Sequence, residues 1–300
     1  MNYHRTILFA LSAGLLFSFS LKAQDHSIIA KDAKLNLVSD DFEFTEGPAV
    51  DETGNVFFTD QPNNKILLWN AKDNSVSVYM EDAGRANGLY IDDEGNILAC
   101  ADEKSELWKI DGEKNVQVLV ADYNGKRLNG PNDLWIDPNG GIYITDPYYQ
   151  RPYWIRTEKE IQKEQVYYLA PGATELKIVA NDLEKPNGII GTPDGKTLYV
   201  ADIGAGKTWS YTINEDGNLT NKTLFTKLGS DGMTIDEQGN IYLTGEGVTV
   251  FNSNGEQIEH IAVDRDWTAN VTFAGKDRKT LFITAMNSVF TLEMNVKGVQ

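Results

Sequence analysis

The chain repeats one pattern six times, and no other feature limits its fold as tightly. EGPAVDETGNVFFTD begins at Glu46, ANGLYIDDEGNILACAD at Ala86 and PNDLWIDPNGGIYITD at Pro131. PNGIIGTPDGKTLYVAD follows at Pro186, SDGMTIDEQGNIYLTGE at Ser230 and ANVTFAGKDRKTLFITA at Ala269. Each copy is a short apolar strand, a turn of the form Asp-x-x-Gly or its equivalent, and a second strand rich in Ile, Val, Tyr and Phe. Gly54, Gly95, Gly140, Gly195 and Gly239 stand where such a hairpin needs positive φ. Weaker strand patterns (KILLWN, ELWKID, VYYLAP, TWSYTI) recur between the copies. The period of about 45 residues is that of a four-stranded blade. The spacing therefore predicts an all-β, six-bladed β-propeller as a single domain over residues 24–300, closed by a strand from residues 33–44 added to the last blade. A large sandwich gives no reason for six equivalent hairpins. The one charged stretch able to form a helix is 156–165.

The repeat also defines a ring. The position five residues before the turn Asp, or its equivalent, holds Glu46, Asn87, Asn132, Asn187, Asp231 and Asn270, with spacings of 41, 45, 55, 44 and 39 residues. First strands of propeller blades line the central channel, so these six side chains are expected to converge at one mouth. Oxygen donors with two carboxylates among them suit a hard divalent cation, calcium above all. Zinc ordinarily takes His or Cys, which the ring lacks, although zinc, manganese and magnesium remain alternatives. The competing reading is that Asn and Asp recur only because they favour turns and strand starts. A second series, Asp60, Asp102, Asp146 and Asp202, returns to the same end of the blades, either to orient the ring amides or simply to terminate strands.

Composition narrows the chemistry. Lys plus Arg number 27 against 44 Asp plus Glu, a formal net charge of −17, which disfavours nucleic acid and anionic membranes as partners. A single cysteine, Cys100, excludes an intramolecular disulfide and multi-thiolate metal sites. It lies inside a strand and reads as a small buried residue. His260, in an alternating strand, reads as surface. No G-x-S-x-G or HExxH sequence occurs. Residues 1–23 have the layout of a secretory signal peptide: Arg5, an apolar run from Ile7 to Leu21, and Ala23 as the residue before the cut. Cleavage there removes two positive charges and leaves −19. A secreted protein is expected, in a bacterial periplasm, with no membrane association after processing, as a monomer or weak homo-oligomer.

The interval from Asn132 to Asn187 is about ten residues longer than its neighbours. The excess lies in 147–165, which carries Tyr148, Tyr149, Arg151, Tyr153, Trp154 and Arg156. Its position after a strand returning to the ring predicts a lid, with packing on the blade edge as the alternative.

The sequence resembles the gluconolactonase branch of the regucalcin (senescence marker protein 30) family. The matching elements are EGP at 46–48, RLNGPNDL at 127–134, DPYY at 146–149, KPNGIIGTPDGKTLYVAD at 185–202, GSDGMTIDEQGNIYLTGEGVTVF at 229–251 and WTANVTFAGKDRKTLFITA at 267–285. The resemblance implies a six-bladed propeller with one divalent ion, hydrolysing lactones of sugar acids. It implies Glu46, Asn187 and Asp231 as metal ligands, Asn132 as a closer or water-mediated fourth, and Asp231 as the catalytic carboxylate. In regucalcin a substrate-binding Arg stands two residues before the position of Asn132, and here that place is Gly130. Arg127 is the candidate to replace it. With Asn129, Asn132, Asn87, Tyr149, Arg151 and Trp154, it makes up the expected substrate-binding set for a small sugar lactone. Two other readings stay open: hydrolysis of other lactones or organophosphates at the same site, and a non-catalytic propeller binding calcium or sugar.

Overall fold

The computed structural model describes residues 27–300; the expected leader, residues 1–23, lies outside the described residues. The described chain forms six four-stranded antiparallel sheets, the blades of a propeller. Their innermost strands are Thr45–Val50, Ala86–Ile91, Leu134–Ile136, Pro186–Gly191, Met233–Ile235 and Asn270–Ala274. Each packs against the next, and the sixth against the first, which closes the ring around a channel. The weaker patterns of the sequence are the third strands, such as Lys65–Trp69 and Glu106–Ile110.

The recurring turns have one chemical cause. Asp51 Oδ1 accepts the N–H groups of Thr53 and Asn55, both at 2.9 Å, while Gly54 takes φ 91°. Asp92, Asp137 and Asp236 hold their turns in the same way. An aspartate side chain that mimics a main-chain acceptor and a residue free to adopt positive φ fix the hairpin locally.

Burial falls from the channel outward. The second strands Ile97–Ala101 and Ile241–Gly245 are buried along their whole length, whereas the outer strands Val76–Glu81 and Val116–Val120 are largely exposed. The core therefore lies between blades. Phe282 of blade six meets Phe58 and Trp69 of blade one at ring-centroid distances of 5.5 and 5.3 Å. Burying one such side chain contributes about 1.5–3 kcal/mol. Cys100 is buried in its strand, and His260 is exposed on an outer strand beside Thr249, as the sequence suggests.

Closure follows the expected route. Asn36–Ser39 pairs antiparallel with Ser288–Glu293, placing Asn36 opposite Thr291 and Leu37 opposite Phe290. At the channel end away from the ring, Arg278 Nε donates to Gln300 O at 2.9 Å and Thr234 Oγ1 to Gln300 Oε1 at 3.2 Å.

The helical expectation for 156–165 is corrected. The segment from 156 to 164 is irregular chain with bends, and Gln165 opens the strand Gln165–Leu169. Its charged side chains are drawn into local contacts and do not line a solvated helix face. Arg156 donates to Leu128 O at 2.8 Å, Lys159 pairs with buried Glu164 at 2.6 Å, and Ile161 is buried.

Candidate active site

Each ring residue stands at or just before the start of an innermost strand, where the strands converge most closely. The residue that follows is glycine in four blades, and the approach explains why. A Cβ on Gly47 would lie 2.0 Å from Asn87 O, and one on Gly232 2.0 Å from the Asn270 amide. Sequence spacing thus becomes a contiguous polar ring.

Two pairs organise it. Asp231 Oδ1 accepts from Asn187 Nδ2 at 2.7 Å, and its Oδ2 accepts from Trp267 Nε1 at 2.6 Å. Across the channel Glu46 Oε2 accepts from its own neighbour Gly47 N at 3.0 Å and from Asn270 Nδ2 at 3.4 Å. Asn270 Oδ1 is taken by Val271 N at 2.8 Å, so this sixth member is a support for Glu46 and not a spare oxygen. Asn132 is buried in the matching place of blade three, its N–H on Thr145 O and its C=O accepting from Gly88 N. The Oδ1 atoms of Asn187 and Asn87 are buried without a hydrogen-bond partner. Orphaned acceptors of this kind are costly unless something electropositive meets them.

The electrostatics point the same way. Burial, then the nearby Asp231 charge, lifts the Glu46 carboxyl well above its ordinary range. Burial lifts Asp231 to about 6, against the opposing pull of Trp267, Asn187 and the Arg151 charge. Asp133, buried just behind the ring, is lifted by burial to about 7. Three carboxyls crowd the site, and Arg151 is the positive charge that reaches Asp231. Among the described residues no cluster of three or more His, Cys, Asp and Glu has the form of a metal site. The donor set is instead two carboxylates with amide oxygens, a combination suited to a hard cation.

The second aspartate series divides in two. Asp60 accepts from Glu43 and Phe44 N–H, Asp146 from Asn129 and Gly130 N–H, and Asp202 from Glu184 and Lys185 N–H. These three clamp the loop that leads into their own blade and touch no ring amide, which is the strand-terminating role. Asp102 instead receives Arg151 Nε at 3.2 Å and the Tyr153 hydroxyl.

Those partners belong to the 147–164 segment, which folds against the ring mouth as the sequence suggests for a lid. Tyr149 is at the site: its hydroxyl accepts from Asn187 Nδ2 at 3.0 Å, and Lys185 Nζ lies 4.5 Å from its ring centroid. The Arg151 guanidinium is 5.4 Å from the same ring. Three expected substrate-binding residues stand elsewhere. Trp154 is 8% exposed, donates Nε1 to Asp102 O at 2.9 Å and is covered by the Arg156 guanidinium at 3.9 Å. It fills the lid's interior and offers no face for stacking. Asn129 is buried and ties the far end of the lid through Lys163 O at 3.0 Å. Arg127 is exposed, with its N–H on Glu160, and the cations against the Tyr149 ring are Arg151 and Lys185.

Two residues of the site escaped the sequence reading. Trp267 lies on the loop leading into blade six and reaches back to blade five, a relationship that spacing within one blade does not reveal. Asp133 had a visible signal: it replaces the glycine that follows the ring residue in blades one, two, four and five.

A family model described as "SMP-30/Gluconolactonase/LRE-like region" matches residues 44–287. A gluconolactonase from Zymomonas mobilis is 28% identical, the alignment covering 91% of this chain and 84% of the relative. A diisopropyl-fluorophosphatase from Loligo vulgaris is 26% identical over 87% of this chain and 92% of its own length. Among solved structures, a gluconolactonase from Xanthomonas campestris superposes with a TM-score of 0.83 at 29% identity, covering 89% of this chain and 91% of that one.

Proposed function

The chain belongs to the SMP-30/gluconolactonase/LRE-like family, and from that membership and the ring geometry we propose that it hydrolyses lactones of sugar acids to the free hydroxy acids with the help of one divalent cation. The observation that carries the reading is the pair of carboxylates, buried Glu46 and half-buried Asp231, that shares one mouth of the channel with the orphaned Asn187 Oδ1. Glu46, Asn187 and Asp231 would hold the ion, with Asn132 as a fourth or water-mediated ligand. Calcium fits this all-oxygen set best. The bound cation would polarise the lactone carbonyl and offset the negative charge that develops on its oxygen.

The chain's own groups account for the remaining steps. Asp231 accepts a proton from the attacking water as the water oxygen adds to the carbonyl carbon. The ring C–O bond then breaks, and Asp231 returns the proton to the departing alkoxide, giving a carboxylic acid and a hydroxyl. Trp267 and Asn187 fix the two oxygens of Asp231, so the base keeps one orientation throughout. Tyr149 and Arg151 present a hydroxyl and a guanidinium to the substrate's own hydroxyls. A carboxylate is a weak base near a dication, and a strained cyclic ester demands less of it than an amide would.

A pH-stat assay over a panel of sugar lactones, with and without chelator, tests this. Chelator-sensitive turnover is expected, and Asp231→Ala should abolish it and weaken cation binding together. Turnover indifferent to chelator would defeat the cation's role, and no turnover of any lactone would defeat the activity. A second reading, hydrolysis of a phosphorofluoridate at the same site, is supported by the likeness to the Loligo enzyme and belongs in the same panel. We also propose that the chain is exported and cut after Ala23; N-terminal sequencing of protein recovered from the periplasm tests this.

A further inference from the structure

Three of the four strand-end aspartates bind main-chain N–H groups, and the fourth has been released from that duty. In the loop leading into blade two, the N–H of Arg85 goes to Asn64 Oδ1 at 2.6 Å. The Asp102 carboxylate, 2% exposed as a residue, therefore makes no hydrogen bond to a main-chain N–H of any described residue. A buried carboxylate left so is strongly unfavourable unless paired. Its partners come entirely from the neighbouring blade's lid: Arg151 Nε at 3.2 Å and the Tyr153 hydroxyl. Trp154 adds a bond to the Asp102 carbonyl at 2.9 Å, and the Arg85 guanidinium covers the Tyr153 ring at 4.5 Å. Arg151 spends only Nε on this contact; its two Nη groups carry no hydrogen bond to any described residue.

We propose that Asp102 is a positioning residue: it latches the 147–164 segment of blade three onto blade two and thereby holds the Arg151 guanidinium at the ring mouth, where the free Nη groups grip hydroxyl or carboxylate oxygens of a polyhydroxylated acyl substrate. The assignment rests on the lactone reading above for the identity of that substrate. The placement itself follows from a chain of contacts running from Asp102 to Arg151, to the Tyr149 ring at 5.4 Å, to Asn187 at 3.0 Å and to Asp231 at 2.7 Å. Gly130 completes the arrangement, since a Cβ there would lie 2.9 Å from Asp102 Oδ1 and 3.1 Å from the Trp154 ring. The space next to that position is occupied by the latch, and the cation is delivered from the lid.

The test compares wild type with Asp102→Asn, Asp102→Ala, Arg151→Gln and the Asp102→Asn/Arg151→Gln pair. Two readouts are used: hydrogen–deuterium exchange of peptides spanning 147–164 in substrate-free protein, and KM and kcat on a sugar lactone. Loss of the latch should speed exchange of that segment by about tenfold or more, as expected for losing a charge-assisted bond. KM should rise by about tenfold in Asp102→Asn with kcat little changed, and that penalty should vanish in the Arg151→Gln background because Asp102 acts through Arg151. Unchanged exchange overturns the latch; KM penalties that multiply in the double variant overturn the positioning role. Should wild type turn over no lactone, the proposed function fails while the exchange arm still decides the latch. Should Asp102→Ala fail to fold, Asp102→Asn, which keeps the side-chain volume, decides both.

Discussion

Trp267 Nε1 donates to Asp231 Oδ2 at 2.6 Å, although the two residues belong to different blades. The bond fixes one carboxylate oxygen from the blade-six side while Asn187 fixes the other from blade four. Three blades thus meet on a single carboxyl group.

Trp267→Phe keeps the aromatic volume and removes only the donor. A hydrogen bond to a charged group is worth about 1.5–3 kcal/mol, so kcat/KM on a lactone should fall roughly tenfold to a hundredfold while the melting temperature changes little. Steady-state kinetics with a parallel thermal melt checks both.

Burial raises the carboxyls of Asp231, to about 6, and of Glu46 above their unfolded range. An acid with a raised folded pKa binds more protons folded than unfolded. In the ion-free protein the contribution of these two groups to stability should therefore be full below about pH 4 and be lost as pH rises through their raised folded values, about 6 for Asp231. A cation needs both groups ionised, so its affinity should weaken as pH falls, by about tenfold per pH unit for each proton that must be displaced. Thermal melts from pH 4.5 to 7.5, with calcium or with chelator, should show a calcium-induced gain in melting temperature that grows with pH.

Gly130→Arg would not supply a substrate-binding arginine. Asp102 and Trp154 crowd the position, so the new side chain should displace the lid, raise KM and accelerate proteolysis between residues 147 and 164. Kinetics and limited trypsin digestion of the variant check this.

Phe282→Ala empties the seam between blades six and one, where Phe58 and Trp69 lean on the lost ring. A cost of about 3–5 kcal/mol is expected for such a cavity, read as a lowered midpoint in urea.

The blades and the ring were legible because they depend on local chemistry repeated at one interval. Asp51, Asp92, Asp137 and Asp236 each build their turn from neighbours within four residues, and the inner strand places Glu46 and Asp231 without further information. What depends on a neighbouring blade was hidden. Nothing near Asp102 in sequence distinguishes it from Asp60 or Asp202; the difference is which donors surround it in space.

Composition misled in a related way at Trp154. An aromatic residue in a polar insert has the same sequence signature whether its ring meets a ligand or fills the insert's own interior. Only the packing of Arg156 across its face and the bond to Asp102 O separate the two. The same holds for 156–165, where alternating charges read as a solvated helix face but are spent on Leu128, Asn129 and Glu164.

The pairing of Asn36 with Thr291 joins residues 255 positions apart. During synthesis the strand Asn36–Ser39 emerges early and must wait for Ser288–Glu293, the last strand of the sheet it completes. Five blades are assembled from contiguous sequence and can form in order as the chain lengthens, whereas the sixth is sealed only after nearly all of it has appeared. Such a late, distant contact slows folding and ties the first and last described strands into one cooperative event. Until Ser288–Glu293 is in place, Asn36–Ser39 has no strand to pair with and the ring, with its polar mouth, stays open.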